Sequence, residues 1–136
     1  MADPASVPRP RWDAFAAIGA GGALGSLARY GLSVAVPHSP GRFPLSTFAT
    51  NVSGCLLIGV LMALLTAAKK PHRLLRPFLG VGILGGYTTF STYATDTLDL
   101  VMAGRPFTGL AYAFATVAAA LVAVYAGHEI TRAVRK

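Results

Sequence analysis

Hydrophobic and polar positions along this chain fall into long blocks, not a short alternation. Phe43–Ala68, Pro77–Thr95 and Pro106–Gly127 contain no Asp, Glu, Lys or Arg, and Ala14–Val36 holds only Arg29. A helix rises 1.5 Å per residue, so about 20 apolar residues cross the roughly 30 Å of bilayer hydrocarbon. Each block is close to that length or above it. The pattern predicts an all-α membrane protein, one domain over residues 1–136 with spans at about 14–36, 43–68, 74–101 and 106–128. Residues 1–11 are polar with three prolines and read as a disordered lead; they lack the apolar run and cleavage site of a signal peptide. Trp12 then suits an interfacial anchor.

The third block departs from the others. Gly85-Gly86 is followed by Tyr87-Thr88-Thr89-Phe90-Ser91-Thr92-Tyr93. Each glycine lowers helix propensity by roughly 1 kcal/mol relative to alanine, which predicts a break at the glycine pair near mid-membrane. Irregular backbone survives at that depth only when covered by protein or facing water. The two half-helix ends would expose carbonyls and amides, natural ion ligands.

Polar groups in the other blocks add to this. Gly21 and Gly25, and Gly22 and Ser26, stand four apart in the first span, a spacing that lets helix backbones approach closely. Leu24 occupies a position where a nucleotide-binding glycine motif needs glycine. Arg29 inside the span is either functional or a snorkelling residue that reaches the interface or helix-end carbonyls. Thr47 and Asn51 share one face of the second span. The Asn51 amide, with two donors and an acceptor, either glues helices or lines a wet path. Tyr112 and Thr116 share a face of the fourth span.

Composition narrows the function classes. Of 136 residues 54% are hydrophobic and 12% charged, about half the usual charged share. The net charge of +7 would suggest nucleic acid in a soluble protein. Here it sits at the membrane borders, so no nucleic-acid partner is expected. Nine Lys and Arg fall on the face with both termini and the second loop; the opposite loops carry only Arg42 and Arg105. The positive-inside rule then puts both termini in the cytoplasm. Cys55 is alone, and His38, His72 and His128 are scattered over three borders, so no metal site is expected from side chains. Asp96 and Asp99 close the third span and His128 lies at a border. On this reading no span holds a carboxylate or histidine inside the membrane, which argues against proton-coupled transport and against an enzyme. The residues point to a passive pore for a small anion or water, or to a structural assembly.

The string Gly85 to Tyr93 resembles the signature of the Fluc (CrcB) fluoride channels. Gly25-Ser26-Leu27-Ala28-Arg29-Tyr30 and Ser46-Thr47-Phe48-Ala49-Thr50-Asn51-Val52-Ser53-Gly54 support the likeness. The resemblance implies a fluoride-specific passive channel in the inner membrane that lowers cytoplasmic fluoride. It further implies an antiparallel, dual-topology dimer with two narrow pores and a structural, untransported Na+. That ion would sit on backbone carbonyls of Gly85 and Thr88. Asn51, Phe90, Tyr93, Thr47, Ser91, Thr92 and Tyr112 would line the pores, and Arg29 would stand near a vestibule. Fluoride is small and strongly hydrated, so hydroxyl and amide donors and positive ring edges must replace its water.

Two departures from the family pattern stand out. Tyr93 replaces the usual second phenylalanine, and its hydroxyl would donate to the ion, narrow the pore or bond a helix carbonyl. The charge bias predicts insertion mainly one way, so the partner is either a second copy, in a homodimer, or an oppositely oriented homologue, in a heterodimer. The competing readings are a structural or degenerate subunit of a heteromeric channel, and a small multidrug-type exporter. The exporter needs an acid in its first span, where only the border residue Asp13 stands.

Overall fold

A computed structural model of the chain describes residues 11–39 and 41–135, and among these all regular structure is helical. The lead expected over residues 1–11 lies, apart from Arg11, outside them. Helix α1 is Trp12–Ala35 and α2 is Leu45–Ala67. Helix α3 begins π-wound over Arg76–Leu84 and ends as the α-turn Gly85–Tyr87. Helix α4 is Ser91–Met102, and α5 runs over Pro106–Val134, beyond the predicted end at 128. Its extra turns carry a surface pair, Arg132 to Glu129 at 3.1 Å. Helices α2 and α5 are long and apolar enough to cross a membrane.

Glycine sets the packing. Helix α1 lies along α3 in the same direction: Gly21 faces the backbone of Phe78 and Gly82, and Gly25 faces Ile83 and Tyr87. Helix α2 lies along α5, again in parallel, with Gly59 against Val124 and His128 and Gly127 against Leu56 and Val60. Close backbone approach of this kind is how helices gain van der Waals contact where lipid removes a hydrophobic drive. A turn at Gly104, whose φ of 75° suits glycine, folds α4 back on α5. The cationic loop 69–76 and the end of α5 thus share one end of the bundle with the start of α1. Segments 36–44 and 103–105 form the other end.

The glycine pair is not where the helix stops. Gly85 has helical φ and ψ of −66° and −36°, and helix persists through Tyr87; the chain leaves it at Thr88, whose ψ is 158°. The reason is packing. A Cβ on Gly86 would overlap the carbonyl oxygen of Gly22 on α1, so this glycine serves close approach. The propensity cost of the two glycines is smaller than the contact that Gly86 permits, and helix survives past them.

Little apolar surface turns inward. Leu61, Leu84, Leu100 and Tyr112 are buried, whereas Phe90, Phe107 and Phe114 are 79%, 86% and 75% exposed. Exposed apolar surface on this scale marks a lipid or protein interface.

Candidate functional site

The interruption between α3 and α4 is built by hydroxyls and one amide. Thr88 closes α3: its N–H and its hydroxyl both donate to Leu84 O, at 3.0 and 2.9 Å. Thr89 opens α4, its Oγ1 accepting the Thr92 N–H at 3.1 Å as a helix-capping hydroxyl does. Asn51 reaches across from α2 and satisfies both peptide groups of Thr89. Its Nδ2 donates to Thr89 O at 2.9 Å, and its Oδ1 accepts the Thr89 N–H at 2.8 Å. The amide thereby replaces the two backbone bonds that a continuous helix would make there. The carbonyls of Gly85 and Thr88 accept no hydrogen bond from any described residue. Two free carbonyls at the end of α3, beside the interruption, suit a hard cation.

Two cavities meet at Thr89. The first, about 290 Å³, is lined by Arg29 and hydroxyl-bearing residues alone, among them Ser46, Thr47, Thr50, Thr89 and Thr92. Thr47 and Thr50 are buried, and neither hydroxyl is committed to a backbone carbonyl as that of Ser53 is to Ala49 O at 2.6 Å. Arg29 is partly buried and has no carboxylate within ion-pair distance among the described residues. The cavity is therefore rich in available donors and carries a positive charge at its edge, an environment that favours a small anion. The second cavity, about 320 Å³, is mainly apolar and brings together Asn51, Gly85, Thr88, Phe90 and Tyr93. Ser91 lines neither cavity; it is exposed, with its Oγ 3.3 Å from Thr89 Oγ1.

Aromatic rings connect the open face to the interior. Phe90 and Tyr93 stand with centroids 5.6 Å apart, Tyr93 and Tyr112 likewise at 5.6 Å, and Phe43 meets Tyr112 edge-on at 5.3 Å. Phe90 is the exposed end of this row and Tyr112 its fully buried middle. The Tyr93 hydroxyl donates to Ala113 O on α5 at 3.2 Å. Of the three roles open to that hydroxyl, the structure shows the bond to a helix carbonyl.

These motifs have counterparts in known proteins. A family profile described as CrcB-like protein, Camphor Resistance (CrcB), matches residues 16–128. The chain belongs to the CrcB-like family. Among the relatives of this CrcB-like chain is a Nocardia farcinica protein named Fluoride-specific ion channel FluC 2. It is 50% identical over 132 residues, which cover 97% of this chain and 94% of that protein. A Streptomyces coelicolor protein named Fluoride-specific ion channel FluC 1 is 49% identical over 89% of this chain and 79% of its own length. A Thermobifida fusca protein named Fluoride-specific ion channel FluC 2 is 52% identical over 88% and 89% respectively. Together with the two apolar helices, this membership makes the chain a membrane protein.

The CrcB-like chain also holds a carboxylate that its hydrophobic blocks place at a border. Asp96 is only 8% exposed; Tyr112 donates to its Oδ2 at 3.4 Å, and His38 Nε2 lies 3.9 Å from its Oδ1. The expectation that no span contains a carboxylate is therefore wrong, since Asp96 sits in the second turn of α4 and points inward. A signal was present: Asp96 and Leu100 are four apart and share one buried face, while Asp99 lies on the exposed side. Thr89, Thr50 and Ser46 are further cavity-lining residues that the motifs alone do not single out. Their hydroxyls become relevant only once α1, α2 and the interruption enclose a common space.

Proposed function

We propose that this chain is a subunit of a passive, fluoride-specific channel that lets the toxic ion leave the cytoplasm. The observation that carries this reading is the first cavity, whose lining residues are Arg29 and hydroxyl-bearing side chains, with no aliphatic and no acidic residue among them. The names of the relatives supply the ion. A desolvated fluoride needs several short donor hydrogen bonds, and the Thr47 and Thr50 hydroxyls can donate. No acidic group borders this cavity to repel the ion. Asn51 has a second amide proton beyond the one given to Thr89, and it lies in the apolar cavity with the Phe90 and Tyr93 rings. Positive ring edges and that proton form the second stage of the path, and Tyr112 and Thr92 connect it to the first.

The finer architecture belongs to the same proposal. Four spans cross the inner membrane, the third interrupted at Thr88 to Phe90 in mid-membrane, with both termini on the cytoplasmic side. A second subunit in the opposite orientation covers the face that exposes Phe90, Phe114 and the apolar cavity. Charge bias favours an oppositely oriented homologue over a second copy, and the numbered names of the relatives accord with that. The free carbonyls of Gly85 and Thr88, doubled by the partner, would hold a structural Na+. That ion supplies positive charge in low dielectric, where it offsets the cost of nearby anions.

The test is ion release from liposomes containing the purified chain, alone and with an oppositely oriented homologue. Fluoride should leave without a proton gradient while chloride stays; vesicles that retain fluoride in both arms overturn the reading. In the same assay Tyr93→Phe removes one exchangeable hydrogen bond, worth about 1 kcal/mol, and leaves the ring in place. Its fluoride efflux should match the parent within about twofold, as expected for a change that leaves the permeation barrier almost untouched. A large loss would place the Tyr93 hydroxyl on the ion.

A further inference from the structure

We propose that the loop between α2 and α3 forms a binding site for the headgroup of an anionic phospholipid. A cavity of about 290 Å³ opens at this end of the bundle, with Met62 and Leu65 of α2 as its apolar floor and His72, Arg73 and Arg76 at its rim. The combination matches a lipid: methylene surface below and cations above, at the depth where α2 ends at Ala67. Arg76 lays its stem beside Gly80, its Cγ 4.0 Å from where a Cβ on that glycine would stand, with Met62 Cε at 3.7 Å from the same point. These are ordinary contact distances, so the Arg76 stem packs along the apolar side chains while its exposed head is left for an anion.

The charges of this loop are unbalanced. Residues 69–76 contain Lys69, Lys70, Arg73 and Arg76 and no acid. Among the described residues only Arg73 has a carboxylate partner, Asp13 at the start of α1. Lys69, Lys70 and Arg76 are exposed and have none within ion-pair distance. The Arg73–Asp13 pair ties the loop to α1 and so holds the cavity's rim in place without neutralising it. Excess positive charge beside an apolar floor selects an anionic phosphodiester carrying acyl chains over a zwitterionic one. The basic cluster thereby acquires a ligand, in addition to any part it plays in orienting the chain.

The experiment is native mass spectrometry of the full chain in detergent, titrated with phosphatidylglycerol and with phosphatidylcholine. Phosphatidylglycerol should bind at least about tenfold more tightly, given some fivefold per basic residue near an anionic lipid. Arg76→Gln should weaken phosphatidylglycerol about fivefold on the same scale. Arg76→Lys should restore binding, which separates lost charge from a misfolded loop. Arg135→Gln, at the same end but outside the cavity, should leave binding unchanged. Equal affinity for the two lipids overturns the proposal, as does an Arg135→Gln loss matching that of Arg76→Gln, which would mean diffuse charge. Displacement by millimolar inorganic phosphate would mark a free-anion site and also overturn it. Fluoride passage plays no part in these readouts, so the two proposals fail separately.

Discussion

Asn51→Leu removes most fluoride efflux while leaving the helices themselves intact. The leucine has nearly the same shape but neither donor nor acceptor, so the Thr89 N–H and C=O lose their partners together. A buried peptide group left unpaired costs about 1–3 kcal/mol in water-soluble proteins, and less in membranes, where other partners can be found. A loss of about 1 kcal/mol in stability is therefore the expected outcome, measured by thermal unfolding in detergent. The effect on passage should be far larger than that of Tyr93→Phe. The interruption would be free to reorient the Gly85 and Thr88 carbonyls, and the second amide proton would be gone from the apolar cavity. A barrier raised by about 2 kcal/mol corresponds to roughly thirtyfold slower efflux. Asn51→Leu efflux equal to that of the parent would remove Asn51 from both the clamp and the path.

Gly25→Ala should destabilise the bundle where Gly19→Ala, earlier on α1, does nothing. A Cβ at position 25 would overlap Ile83 O and stand 2.8 Å from Tyr87 N, both rigid backbone of α3. Nothing lies within 4 Å of a Cβ at position 19. Relief requires α1 to move away from α3, and overpacking of this kind costs about 1–3 kcal/mol or more. Because the displaced segment is the last turn before Thr88, the change also shifts the free carbonyls. Thermal unfolding of the two variants side by side provides the measurement: a fall of several degrees or more for Gly25→Ala and none for Gly19→Ala. Equal behaviour would mean that α1 and α3 do not meet through glycine.

The residues that build the interruption show how far local rules reach. Two adjacent glycines predict a break at their own position, yet both stay helical, and Gly86 serves the contact with α1. The chain leaves the helix at Thr88 because Thr88, Thr89 and Asn51 supply alternative hydrogen bonds there. Asn51 lies 38 residues from Thr89 in sequence, and no local propensity reports on it. Tyr93 makes the same point on a smaller scale. Its side chain alone allows three roles for the hydroxyl, and the position of Ala113 O on a different helix selects one. Asp96 differs from both, since its inward face could be read from its four-residue spacing to Leu100.

What could be read from the chain alone was what depends on composition within one stretch. Contact with lipid is a requirement that each helix meets by itself, residue by residue. The apolar block 43–68 therefore anticipates Leu45–Ala67 within two residues at its start and one at its end. The hydroxyl-rich motif around Thr88 and the small residues of α1 were visible for the same reason. The tertiary structure decided what those groups do. It showed which glycines face a neighbour's backbone, which amide closes the gap at Thr89, and which hydroxyls share a cavity with Arg29. Each of these depends on a distance between segments far apart in sequence, and such distances follow from packing several helices at once.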